Sequence, residues 1–360
     1  MKNTLLTFLL IAILVITKAQ IPAGYYDPAS GKTGAILKTA LYDIIKGHTV
    51  LSYTPGLWNA YYTTDHQVNQ NTLVWDMYSN CSFTFGTNQC SGTGSNECDC
   101  YNREHSFPQS WFKEASPMVS DIFHIYPTDL KVNGMRGNYP FGVVTNPTYT
   151  SGNGSKLGPC TFPGYTGTVF EPLDEYKGDF ARTYFYMATR YENLIASWQS
   201  NGNANEILNG TSFPCFDPWF LNLLFTWNTS DPVSQKEIDR NNVIYTDFQK
   251  NRNPFIDHPE YASMIWDIYT NVSEEFARVE LQVYPNPVSE MCNITLPDDF
   301  NQQNSLFTVY SSTGIPVFAP VTVSGDKAVL NLENAPSGFY LVRLTSENNR
   351  ITYQARIIKK

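Results

Sequence analysis

Positive charge is in short supply in this chain. Twenty-four Lys and Arg face 33 Asp and Glu, a formal net charge of −9. That balance excludes a protein that coats nucleic acid through bulk positive charge. It leaves local phosphate binding open, because net charge bears on solubility and encounter rate more than on site chemistry. Histidine is scarce too, with five in 360 residues. The zinc-peptidase arrangement His-Glu-x-x-His is missing. Beyond the N-terminus no segment stays apolar for about eighteen residues, so no stable membrane span is expected. No long-period repeat is present.

The N-terminus carries a targeting pattern. Lys2 provides a positive start, Leu5 to Ile16 an apolar stretch, and Lys18-Ala19-Gln20 a short polar exit. Residues 1–20 therefore read as a cleaved secretory signal. Export makes disulfides the default for the seven cysteines. A zinc ribbon is disfavoured, since Cys98-x-Cys100 lacks the two-residue gap and no second paired knuckle follows. Four cysteines, Cys81, Cys90, Cys98 and Cys100, crowd ahead of Glu104, where bridges would clamp the chain. The odd count leaves at least one thiol unpaired, and Cys292, far down the chain, is the expected one.

Periodicity divides the chain in two. Helical spacing predicts helices over 35–45, 58–64, 179–199, 218–227, 235–251 and 258–270. Short strands are expected at 73–78 and 83–85, with a Gly/Ser/Cys-rich loop over 89–99. Composition shifts near residue 280. From there alternating segments at 306–310, 328–332 and 338–344 are punctuated by turn residues, which predicts a small all-β sandwich. The tail holds no histidine and no catalytic pair. The expected class is α+β, a mostly helical domain over 21–275 followed by an all-β domain over 283–360.

Chemistry concentrates in the run Asn102-Arg103-Glu104-His105-Ser106-Phe107-Pro108-Gln109-Ser110-Trp111. Asp121-Ile122-Phe123-His124-Ile125-Tyr126-Pro127-Thr128-Asp129 follows closely. Glu104 offers a hard oxygen for Mg²⁺ or Ca²⁺. His105 titrates near neutrality and suits a general base. His124 is the obvious second metal ligand. Arg136, in Val132-Asn133-Gly134-Met135-Arg136-Gly137-Asn138-Tyr139, could clamp a phosphate with two N–H groups. Each has a bland reading. A Glu-His pair is usually a surface feature, a His in an apolar run is usually core, and asparagines near glycine are usually turn formers. Arg182 and Arg190 read best as structural ion-pair residues.

These three blocks, in this order and spacing, resemble the bacterial extracellular endonuclease I family, a ββα-metal group related to the His-Asn-His nucleases. Asn251-Arg252-Asn253-Pro254-Phe255 is similar to that family's late block. The resemblance spans about residues 21–270. It implies a ββα-metal core, Glu104 and His124 as ligands of Mg²⁺ (with Ca²⁺ or Mn²⁺ as substitutes), and His105 as base with Arg136. It implies substrate contacts from Arg103, Asn133, Asn138 and Arg252. It also implies cleavage of DNA, and often RNA, without strong sequence preference, leaving 5′-phosphate ends. The segment 283–360, with Tyr284-Pro285-Asn286-Pro287 and Gly338-Phe339-Tyr340, resembles a type IX secretion C-terminal sorting domain. That implies the type IX machinery as a partner, transit through the periplasm, and release or display at the cell surface. Two rival readings stand beside this. A different secreted metallohydrolase lacks its motif, and a non-catalytic surface protein leaves the Glu104, His105 and His124 grouping unexplained.

Overall fold

A computed structural model of the chain describes residues 21–92, 95–270, 278–297, 300, 305–311, 316–317, 319–346 and 352–360. The signal segment 1–20 lies outside the described residues. The chain divides into two compact units, Met1–Asn271 and Val272–Lys360. No helix among the described residues is long and apolar enough to cross a membrane.

The first unit mixes helices with short strands. Helices α1 (Gly34–Ile45) and α2 (Gly56–Thr64) open it. An antiparallel pair, β1 (Tyr101–His105) and β2 (Ile125–Asp129), follows, and α3 (Leu130–Arg136) begins where β2 ends. Asp129 makes that junction, because its carboxylate accepts the Val132 amide at 3.0 Å and caps the helix. A three-stranded sheet over Tyr149–Thr150, Lys156–Pro159 and Thr168–Glu171 comes next. Helix α4 (Lys177–Arg190) is buried along nearly its whole length. Such a helix must be enclosed on all sides, and aromatic residues do much of the enclosing. Phe180 packs on Phe141 at 4.6 Å, and Phe185 stacks on Trp266 at 5.0 Å. α5 (Pro218–Ser230), α6 (Gln235–Val243) and α8 (Tyr261–Thr270), with the short turn α7 (Pro254–Asp257), complete the unit.

Charge is buried here as well. Arg182 and Glu237 meet at 2.6 Å, Arg240 and Asp65 at 2.8 Å, and Arg252 and Asp257 at 2.6 Å. Every member of these pairs except the partly buried Asp257 is enclosed.

Five expected elements are shorter than their periodicity suggests. The 258–270 helix begins at Tyr261, and the 83–85 strand is reduced to a single bridge between Leu73 and Thr84. The 179–199 helix stops at Arg190, where Tyr191 turns to φ −115°, ψ 33°, and a 3-10 turn Ile195–Trp198 follows. The 235–251 helix is α only to Val243 and then widens into a π-turn, Ile244–Phe248. The 73–78 strand occupies Gln70–Val74 instead. It ends because the Asp76 carboxylate accepts the Tyr78 amide at 2.8 Å and turns the chain.

The second unit is all β among its described residues. One sheet orders Val321–Ser324, Lys327–Asn331, Met291–Thr295 and Val283–Tyr284. The other orders Pro316–Val317, Ser305–Ser311, Gly338–Ser346, Thr352–Lys359 and Arg278–Glu280. Alternation drives both, as Met291–Thr295 buries Cys292 and Ile294 and exposes its odd neighbours. The inward residues of the two sheets form one cluster.

Candidate active site

The β1–β2 register sets Glu104 opposite Tyr126 and His105 opposite Ile125. Both residues are almost wholly enclosed, Glu104 at 2 % and His105 at 5 % exposure. Their surroundings differ. Glu104 Oε1 accepts the Tyr78 hydroxyl at 2.9 Å and faces the Arg136 guanidinium at 3.3 Å. Burial raises its carboxyl above the ordinary value, and Arg136 and Tyr78 oppose that rise. Among the described residues its second oxygen, Oε2, has no hydrogen-bond partner.

His105 is anchored through one ring nitrogen. Nε2 lies 3.2 Å from the Val119 carbonyl. A carbonyl only accepts, so Nε2 carries the proton and Nδ1 keeps its lone pair. Burial pushes the imidazole down to about 3, with His124, Arg103 and Arg136 adding to the effect. The ring is therefore neutral with its lone pair on Nδ1, and burial makes it a weaker base than the near-neutral imidazole its sequence suggests.

His124 is held in the same way, by the carbonyl one residue before Val119. Its Nε2 lies 2.7 Å from the Met118 carbonyl, and the buried Nδ1 has no partner among the described residues. Its ring packs on His105 at 5.5 Å and edge-on to Phe112 at 5.7 Å. Burial lowers its basicity, while Asp121 opposes that change. Asp121 itself caps the turn Ile122–His124 and accepts the Tyr186 and Tyr191 hydroxyls at 2.8 and 2.7 Å. The structure thus gathers His124 with His105, and Glu104 with Tyr78 and Arg136.

Arg103 lies two residues before His105 on β1. Its NH1 donates to the Tyr53 carbonyl at 2.6 Å and to the Thr54 hydroxyl at 2.9 Å. Asn133, on α3, donates to Asn102 Oδ1 at 2.8 Å and leans toward the Arg103 carbonyl at 3.4 Å. Its own Oδ1 has no partner among the described residues. Asn138 is exposed just past α3.

Two arginines expected at the substrate sit inside the protein instead. Arg136 is 1 % exposed and donates to the carbonyls of His105, Gly137 and Ser106. Its planar fork, ideal for a phosphate, is equally suited to tying a turn of backbone to a helix. Arg252 is also 1 % exposed, with Nε and NH2 committed to Asp257 and Asn242. It braces the 251–257 segment.

The cysteines form two bridges, Cys81–Cys98 and Cys90–Cys100. They lie in the loop entering β1, and the Cys98 amide donates to Asp129 at 2.7 Å. Cys81, Cys98 and Asp129 lie close enough to suggest a metal group. With both sulfurs bonded to each other neither is a thiolate, so that group does not fit an ion. Cys292 is unpaired as expected, but Cys160 and Cys215 are unpaired too, each enclosed without a partner sulfur.

A divalent cation is tested better against the site's own donors. Glu104 supplies a hard oxygen with Oε2 unengaged, Asn133 an unbonded amide oxygen, and His124 an unpartnered nitrogen. These donor types fit Mg²⁺ or Mn²⁺. Three contributors leave no mark in the sequence. They are the Tyr78 hydroxyl, the paired carbonyls of Met118 and Val119, and Tyr53. Carbonyls carry no residue signature, and a tyrosine among 23 has no distinguishing spacing.

Known families and proteins are similar to this sequence. The Endonuclease I family model matches residues 33–260, and the Secretion system C-terminal sorting domain matches residues 282–360. An extracellular ribonuclease of Bacillus amyloliquefaciens is 40 % identical over 257 residues, covering 70 % of this chain and 81 % of that protein. An extracellular ribonuclease of Bacillus subtilis (strain 168) is 39 % identical over 246 residues, covering 67 % and 78 %. Endonuclease-1 of Buchnera aphidicola subsp. Acyrthosiphon pisum is 25 % identical over 146 residues, covering 40 % and 47 %.

Proposed function

This chain belongs to the Endonuclease I family and ends in a type IX secretion sorting domain, and from that premise we propose how its secreted nuclease works. The substrate is DNA, with RNA also cut; the two relatives named as ribonucleases support the RNA part of this reading. Cleavage is metal-dependent, has little sequence preference and leaves 5′-phosphate ends. Residues 1–20 are the signal, 21–275 the catalytic domain and 283–360 the sorting domain that engages the type IX machinery. We read β1, β2 and α3 as the ββα-metal core.

One observation carries the mechanism. His105 is pinned by Nε2 to the Val119 carbonyl beside the buried Glu104 carboxylate. Its Nδ1 lone pair takes the proton of the attacking water. Arg103 holds a non-bridging phosphate oxygen, and Asn133 and Asn138 line the approach. Backbone contacts of this kind carry no base information, so weak sequence preference follows. Glu104 would hold the ion, which would supply neutralisation of charge on the scissile phosphate and leaving oxygen. His124 is the first candidate for a second ligand through its unpartnered Nδ1. Asn133 is the second candidate, favoured by a hard amide oxygen on the helix that follows β2. Arg136 and Tyr78 keep Glu104 oriented.

Plasmid digestion with Mg²⁺, with and without chelator, tests the reaction. Smearing that disappears with chelator and in His105→Ala supports it. A fully active His105→Ala removes the base assignment. Calorimetric Mn²⁺ titration of Glu104→Gln, His124→Ala and Asn133→Ala ranks the ligands, since loss of a direct ligand weakens binding more than loss of a group that only orients one.

A further inference from the structure

The site's least conspicuous neighbour is Tyr53, half-buried in the loop between α1 and α2. Its ring touches two functional side chains. The Arg103 guanidinium carbon lies 3.5 Å from the ring centroid. The His105 ring lies 6.0 Å away and nearly parallel, at 22°. The same stretch of backbone completes the grip, because Arg103 NH1 bonds the Tyr53 carbonyl and the Thr54 hydroxyl. Trp58, in the first turn of α2, lies 4.6 Å from the guanidinium carbon. The cation is therefore stacked on two rings and bonded through a single nitrogen. Its Nε and NH2 groups have no protein partner among the described residues.

We propose that Tyr53 is a positioning residue that fixes Arg103 as a phosphate contact beside the base. Residues two apart on a strand share a face, so Arg103 and His105 stand side by side there. A free arginine samples many rotamers and loses that freedom on binding. Stacking on Tyr53 removes most of it beforehand, and leaves one edge of the fork for a phosphate. In a chain of net charge −9, one well-held cation matters more than it would on a basic surface. This inference rests on the reading of His105 as base and Arg103 as phosphate contact.

The test is the salt dependence of KM on duplex DNA, measured on the full chain. Removing one phosphate-binding cation lowers the slope of log KM against log salt by about 1. Tyr53→Leu, which keeps the carbonyl and removes the ring, lowers that slope by about 1 and raises KM several-fold at low salt. Its kcat changes less. Tyr53→Phe, which keeps the ring, retains the wild-type slope. Arg103→Gln loses the same slope, and the double variant with Tyr53→Leu is no worse than Arg103→Gln alone. If Tyr53→Leu melts early, Tyr53→Met fills the volume without a π face and carries the same test. A wild-type slope in the ring-less variant overturns the proposal, as does a slope loss in Tyr53→Phe. An unchanged slope in Arg103→Gln sinks the Arg103 reading itself, which is a separate failure.

Discussion

The two units hold themselves together by different means. In the nuclease unit, Arg136, Arg182, Arg240 and Arg252 lie at 4 % exposure or less, each against a carboxylate. In the sorting unit no charged side chain is buried and no ion pair forms among the described residues. Its interior is aliphatic and aromatic. A buried ion pair gives little net stability, yet losing one partner strands the other in a low-dielectric interior. The nuclease unit is thus sensitive to single charge deletions. The sorting unit depends on strand alternation, which any apolar side chain of similar size maintains. The contrast follows from what each unit must present. A catalytic unit needs carboxylates and imidazoles held in fixed orientations without water, and buried hydrogen-bonded charges do that.

The sharpest way to break this contrast is Arg182→Ala. It leaves Glu237 and Asp179 buried without their cation. The expected cost is about 3–5 kcal/mol. All seven tryptophans lie at or before Trp266, so tryptophan fluorescence during guanidinium unfolding reports the nuclease unit alone. A midpoint unchanged from wild type would refute the claim that buried pairs carry this unit.

The matching change in the sorting unit is Ile294→Ala. Ile294 is fully buried in a strand of alternating exposure. The expected local loss is about 2–4 kcal/mol, seen as faster hydrogen exchange over 291–295. The tryptophan midpoint and the nuclease rate should not move. A shift in either would show that the units are energetically coupled.

Reduction separates the units a third way. Both bridges lie in the nuclease unit, spanning 17 and 10 residues. Loops of that length are worth on the order of 3 kcal/mol each by chain entropy. Reductant should lower the tryptophan midpoint and leave exchange in the sorting unit unchanged, since Cys292 is a free thiol. An unchanged midpoint would mean the bridges do not support the fold.

Much of this contrast is legible in the chain itself, and the part that is not has a physical reason. The helices at 34–45 and 218–230 and the alternating tail follow from periodicity, because burial on one face leaves a repeat. Glu104, His105 and His124 stand out as rare chemistry in close succession. Arg136 reads as a phosphate clamp in sequence because a charge is assumed to face water unless a partner is known, and Arg252 reads as a substrate contact only through the family resemblance. Their partners, Glu104 and Asp257, are recognisable only once the fold brings them together. The tautomer of His105 depends on the Val119 carbonyl, and every residue has a carbonyl. Tyr53 reaches the site across fifty positions of chain, a separation that leaves no local pattern.

The smallest effect tests how the surface of the nuclease unit connects to its buried charge. Ser234 caps α6, with its hydroxyl accepting the Glu237 amide while the Glu237 carboxylate accepts the Ser234 amide. The same carboxylate receives Arg182 through Nε and NH2. One glutamate thus closes a capping box and neutralises a buried arginine. Ser234→Ala removes one half of the box and should cost about 1 kcal/mol, read from the tryptophan midpoint. Combined with Arg182→Ala, its cost should change, because both variants act on Glu237 and neighbours that share a partner do not add. Strict additivity in the double variant would mean that cap and ion pair are independent. The buried charges of this unit would then be a set of separate pairs and not a connected frame.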